Sequence, residues 1–133
     1  MRIMLVDDST TIRKIQKNIL ASLGETDIAE SADGVQALAA YRTQRPDLMI
    51  IDWNMPNMDG LTLVKKIREI DKSVLMIMCT TEAEKGQVVE ALKAGVNNYV
   101  VKPFTVEALA EKIKQTVTRA GAAAAAAAAA VPA

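Results

Sequence analysis

Four short runs, residues 3–6, 48–51, 74–79 and 99–101, are apolar at nearly every position instead of alternating apolar with polar. Uniform hydrophobicity over so few residues is the pattern of strands covered on both faces, which occur almost only in parallel sheets flanked by helices. Residues 27–31 form a weaker fifth run. Between the runs, apolar residues recur at helical spacing, at Ile12, Ile15, Ile19 and Leu23 in the first interval and at Leu109, Ile113 and Val117 after the last run. Parallel strands cannot be joined by tight hairpins, and their helical crossovers share one hand. The expected class is α/β: a doubly wound, five-stranded parallel sheet built from five βα repeats.

Turn chemistry supports these intervals. Gly24 and Gly95 are placed to stop helices, and Asp33 with Gln36, or Thr81 with Glu84, has the spacing of an N-terminal capping pair. Pro46 punctuates the chain before the third strand. At 133 residues, half of them apolar, the chain is long enough for one core and short for two. Residues 1–119 form the expected domain. Residues 120–133, dominated by the alanines 122–130, form a low-complexity tail that either extends the last helix, if Gly121 permits, or is a linker or cloning remnant.

Composition removes several function classes. Sixteen Lys and Arg balance sixteen Asp and Glu, so no net field draws the chain to nucleic acid or to an acidic membrane. Histidine is absent, which excludes histidine acid/base catalysis, histidine metal sites and a phosphohistidine donor. Cys79, the only cysteine, lies inside an apolar run and reads as a buried thiol in a reducing compartment. The start of the chain runs directly into a strand without a long apolar segment, so neither membrane insertion nor export is expected, and the predicted location is cytoplasmic.

In an open α/β sheet, ligands bind beyond the carboxyl ends of the strands. Reading those positions gives Asp7 and Asp8 after the first run, Asp52 and then Asn54 after the third, Thr80 after the fourth and Lys102 followed by Pro103 after the fifth. Each alone has an ordinary structural reading, as a cap, a loop carboxylate or a solvated strand end. Together they place three carboxylates, a hydroxyl and an ammonium on one edge of the sheet. Two carboxylates ~4 Å apart repel by about 4 kcal/mol at an effective dielectric near 20, so a cation is expected among them. Oxygen donors without histidine or cysteine favour a hard ion, and Mg²⁺ over zinc.

Over residues 1–119 this set resembles the receiver domains of two-component response regulators. The resemblance rests on Asp7-Asp8, Asp52, Thr80 and Lys102-Pro103 in the right order at the ends of the right strands. Within that family, DWNMPNMDG over residues 52–60 and YVVKPFT over residues 99–105 look most like the single-domain chemotaxis regulators. The resemblance implies a flavodoxin-like (βα)5 fold with strand order 2-1-3-4-5. It also implies that Asp52 accepts a phosphoryl group, that Asp8, Asp52 and the main-chain carbonyl of Asn54 hold Mg²⁺, and that Asp7 supports the ion through water. Lys102 would pair with carboxylate before transfer and with the phosphoryl group after it, aimed inward by a cis peptide before Pro103. Thr80 and Tyr99 would be the switch pair, and the fourth helix, fifth strand and fifth helix the output face, with Lys85, Val88, Leu92, Tyr99 and Lys112 as candidates. Asn54 and Glu82 occupy the positions that govern access of hydrolytic water, and Trp53, beside Asp52, is expected to be partly exposed.

The function implied is a stand-alone, monomeric phospho-switch that takes its phosphoryl group from a chemotaxis-type histidine kinase and then binds a partner such as the flagellar motor switch protein. Such a protein is a signalling device that catalyses its own phosphorylation and dephosphorylation. A phosphorelay carrier, or a receiver fragment cut from a larger regulator, would share the same chemistry. A metal-dependent phosphatase using Asp52 as nucleophile is disfavoured, because such enzymes resembling haloacid dehalogenases carry a second aspartate two residues on and this chain has Asn54 there.

Overall fold

The computed structural model describes residues 1–80, 85–102 and 104–130, with the backbone alone described at residues 85, 86 and 120–130. Strands and helices alternate throughout: β1 (Ile3–Val6), α1 (Thr10–Ser22), β2 (Ile28–Ser31), α2 (Gly34–Thr43), β3 (Leu48–Asp52), α3 (Gly60–Arg68), β4 (Leu75–Thr80), α4 (Lys85–Ala94), β5 (Asn98–Val101) and α5 (Val106–Ala130). All pairings are parallel and the order is β2-β1-β3-β4-β5, as expected. The chain reverses direction across the sheet between β1 and β3, and that switch opens a crevice at their carboxyl ends.

Alternation along each strand sends side chains to two separate cores. Met4, Val6, Met49, Ile51, Met76 and Met78 pack with Leu63, Val64 and Ile67 of α3 and with residues of α2 and α4. Ile3, Leu5, Leu48, Ile50, Ile77 and Cys79 pack on the other face with Ile19 and Leu20 of α1 and Leu109 and Ile113 of α5. Burial on both faces is why these strands lack polar alternation. Cys79 is fully buried, and burial pushes its thiol up to about 12.

The helix signals are realised with two differences. Ser9, Asp33 and Asp59 each accept a hydrogen bond from an N–H three residues on, at 3.2, 2.8 and 2.7 Å. Gln36 accepts from the N–H of Ala32 rather than of Asp33, one residue beyond the usual reciprocal pair. Gly24 and Gly95 adopt the positive φ angles of +84° and +115° at which the helices before them stop. The proposed Thr81 and Glu84 cap lies outside the described residues. In α1 the inward face is rotated by one position from the apolar spacing: Ile15 is 39% exposed, whereas Gln16 is buried. The helix α5 continues through Gly121 to Ala130, because a single glycine costs about 1 kcal/mol against alanines of the highest helix propensity.

The amino-terminal end of the sheet, opposite the crevice, is closed by a polar network. The Tyr41 hydroxyl donates to Asp71, and Arg68 donates to the Gly95 carbonyl through Nε at 3.0 Å and Nη2 at 2.8 Å. Desolvation, with the Asp71 carboxylate beside it, pushes the Tyr41 phenol up to about 12. None of these groups faces the carboxyl edge.

Candidate functional site

The crevice is built by four strand ends. Asp7 follows β1, and its N–H donates to the Ser31 carbonyl of β2 at 3.1 Å, which carries the strand pairing one residue into the loop. Its Oδ1 accepts the Ser9 N–H at 2.9 Å, an Asx-type turn that leads into the α1 cap. Asp52 and Thr80 are the last residues of β3 and β4 rather than the residues after them, because pairing with Cys79 and Val101 extends each strand by one. The Lys102 N–H donates to the Thr80 carbonyl at 2.7 Å, so the lysine leaves the sheet from a fixed point.

These strand ends bring the charges together. Asp7 and Asp52 are buried, with 1% and 6% of their surface exposed, while Asp8 faces solvent. Carboxylate oxygens of Asp7, Asp8 and Asp52 lie within 4.8 Å of one another. The Lys102 ammonium bridges the two buried members, at 2.7 Å from Asp7 Oδ2 and 3.2 Å from Asp52 Oδ1. Burial raises the Asp52 carboxyl above its usual range and Asp7 raises it further; Lys102 and the N–H of Asn54 oppose them without cancelling the shift. For Lys102 burial works against the charge, but the hydrogen bond and charge of Asp7, with those of Asp52, outweigh it and hold the ammonium above the ordinary lysine value.

The donor set fits a small hard cation. Octahedral ligands at about 2.1 Å from Mg²⁺ are about 3.0 Å apart when adjacent and about 4.2 Å when opposite, close to the spread of these oxygens. One lysine against three carboxylates leaves the cluster negative. Asn54 is exposed at the mouth of the crevice and Trp53 is half-buried, as expected.

Two backbone devices that sequence reading did not single out shape this edge. At Gly60 a Cβ would lie 2.3 Å from the Asp52 carbonyl oxygen, and the Gly60 N–H donates to the Trp53 carbonyl at 2.9 Å. Only glycine lets the start of α3 approach β3 this closely. Its place at the end of the 52–60 stretch was visible, but its contact was not. Across the mouth, Asn57, in the left-handed region at φ 69°, donates through Nδ2 to Asp33 Oδ2 at 2.9 Å and ties the loop after β3 to α2.

Of the switch candidates, Thr80 is buried at 3% exposure and Tyr99 is half-buried on β5. The Lys112 ammonium of α5 lies 4.9 Å from the centre of the Tyr99 ring, within the range of a cation–π contact. Leu92 is 47% exposed, and beside it Val89, at 40%, is more exposed than the half-buried Val88. The side chain of Lys85, Glu82, and Pro103 with its expected cis bond lie outside the described residues.

The family model for the response regulator receiver domain matches residues 3–114. A chemotaxis protein CheY homolog of Campylobacter jejuni is 48% identical over 120 residues, which cover 88% of this chain and 92% of the homolog. Among solved structures, the chemotaxis response regulator CheY4 of Vibrio cholerae superposes with a TM-score of 0.81 at 33% identity, covering 86% of this chain and 97% of its own. CheY in the CheX–CheY–BeF3–Mg²⁺ complex of Borrelia burgdorferi, 29% identical, superposes with a TM-score of 0.83 and covers 86% and 87% of the two chains. Among the described residues, no helix is long and apolar enough to cross a membrane.

Proposed function

The chain belongs to the response regulator receiver domain family, and from that membership we propose that it is a cytoplasmic chemotaxis switch, phosphorylated on Asp52 by a histidine kinase and then bound by a motor-switch protein. The observation that carries this reading is the Lys102 ammonium held between Asp7 and Asp52, with Asp8 close by, at the carboxyl edge of the sheet. Residues 1–119 are the switch, and residues 120–133 are an appendage to it.

The chemistry is positioning and electrostatics. Asp52 is the nucleophile: one carboxylate oxygen attacks phosphorus in line with the imidazole nitrogen of the kinase's phosphohistidine. The P–N bond breaks as the P–O bond forms, the released imidazole takes up a proton from solvent, and the product is an acyl phosphate on Asp52. Asp8, Asp52 and the carbonyl of Asn54 would hold Mg²⁺, with Asp7 supporting it through water. Bound there, the ion supplies positive charge that lets an anionic carboxylate meet an anionic phosphoryl group. Lys102, 3.2 Å from Asp52 Oδ1, turns its ammonium to a phosphoryl oxygen after transfer and keeps Asp7 as its second partner. The Thr80 hydroxyl, at the end of the neighbouring strand, donates to another phosphoryl oxygen. Tyr99 follows that movement, and α4, β5 and α5 carry the change to the partner.

Binding of a motor-switch peptide, followed by fluorescence anisotropy with and without acetyl phosphate and Mg²⁺, tests the output. Affinity is expected to rise about tenfold, a coupling of about 1.4 kcal/mol. Equal affinity in the two states, with phosphoryl transfer to a histidine on another protein, would make the chain a relay carrier instead.

A further inference from the structure

Resting on that reading of the pocket, we propose that Arg13 is a positioning residue for the metal-binding turn, clamping the Asp7–Asp8 peptide to β2 through Glu30. The guanidinium of Arg13 projects from α1 and makes three contacts with three different segments. Nη1 donates to the Asp7 main-chain carbonyl at 2.6 Å, Nε to Glu30 Oε1 at 3.2 Å and Nη2 to Thr10 Oγ1 at 3.3 Å. Lys17, one turn further along α1, holds the other Glu30 oxygen at 3.3 Å. Only 14% of the Arg13 side chain is exposed, so this is a packed bridge rather than a loose surface pair.

The consequence lies in the peptide plane. The Asp7 carbonyl and the Asp8 N–H belong to one rigid unit, so fixing that oxygen fixes the direction from which the Asp8 backbone departs. On the other side of Asp7, its N–H is already tied to Ser31 of β2, and its carboxylate receives the Ser9 N–H and the Lys102 ammonium. Asp7 is therefore restrained at every polar group. Asp8, exposed and flanked by this restrained residue, inherits its placement from the Arg13 contact. A planar fork that can hold a carbonyl, a carboxylate and a hydroxyl at once is a property of arginine, and a lysine has one nitrogen to share among them.

Charge and position make opposite predictions. As a mere positive charge, Arg13 would repel a divalent cation, and its removal would tighten binding. As a clamp, its removal lets Asp8 wander and loosens binding, by roughly tenfold, the lower end of what supporting residues contribute to metal sites.

Wild type, R13Q, R13K and E30Q are compared by two readouts. The first is Mg²⁺ affinity from Trp53 fluorescence. The second, in chelator without metal, is hydrogen exchange at the Ser9 amide, which donates to Asp7 Oδ1. R13Q and R13K are expected to bind Mg²⁺ roughly tenfold more weakly and to exchange Ser9 faster, with E30Q intermediate in both. Unchanged or tighter Mg²⁺ binding in R13Q, or wild-type behaviour of R13K, overturns the clamp. Should R13Q fail to fold, R13K and E30Q decide: R13K keeps the charge and loses the fork, and E30Q keeps Arg13 and weakens the Glu30 anchor that it shares with Lys17, so wild-type behaviour of both overturns the clamp. A wild type blind to Mg²⁺ would overturn the pocket reading instead, while the metal-free exchange comparison would still decide for or against Arg13.

Discussion

Asp52 is a carboxylate in a place that disfavours its charge. Desolvation and Asp7 raise its pKa, and Lys102 only partly compensates. The folded state therefore holds the Asp52 proton to higher pH than the unfolded chain, which releases it near the ordinary aspartate value of about 3.9. Between those two values stability falls as pH rises, and above both the full cost is present. Asp52→Asn removes that cost and leaves Lys102 paired with Asp7 at 2.7 Å. In metal-free buffer the variant should be more stable than wild type by about 1 kcal/mol at neutral pH, the scale typical of relieving an active-site compromise. The advantage should shrink as pH falls through the raised folded-state range toward the unfolded value of about 3.9, because the folded carboxyl takes up its proton first. Denaturant unfolding at several pH values checks both the sign and the window. Equal stability at neutral pH would mean that the carboxylate carries no such cost.

At the scale of elements, the site depends on how closely α3 approaches the end of β3. The Asp52 carbonyl leaves no room for a side chain at position 60, and the Gly60 N–H is used on Trp53. Gly60→Ala should cost about 1–3 kcal/mol through overpacking, visible as a lowered Tm, and should weaken Mg²⁺ binding because the displaced backbone carries Asp52 and Asn54. A variant as stable as wild type would show that α3 has slack. The strands were legible because burial on both faces leaves no polar alternation, and the Asp33 cap because Gln36 follows it at the spacing of a capping pair, whereas the caps at Ser9 and Asp59 lack that partner and came only from the structure. The inward face of α1 was not legible in its apolar positions. Gln16 is buried where Ile15 was expected, because the helix packs by geometry and its apolar spacing admits more than one rotation. Gly60 and Arg13 escaped for a related reason: their contacts are to main-chain oxygens of distant segments, and a carbonyl leaves no mark in residue identity.

Across the whole molecule, the parallel topology gathers the chemistry. Asp7, Asp52, Thr80 and Lys102 are separated by up to 95 positions in the chain, yet they share one edge because each ends or follows a strand of the same sheet. That convergence was readable once the runs were taken as parallel strands. The carboxyl ends of such strands all point one way, and residues of unlike charge rarely collect there without a ligand to hold. The Lys102 bridge to both Asp7 and Asp52, by contrast, depends on side-chain directions that no spacing rule supplies. The most direct test of Asp52 as acceptor is intact-protein and peptide mass spectrometry after incubation with acetyl phosphate and Mg²⁺. The expected result is a single phosphoryl adduct on the peptide holding Asp52, not formed when the metal is chelated before acetyl phosphate is added and absent from Asp52→Asn. No adduct on the wild type, or an undiminished adduct on the variant, would contradict the assignment.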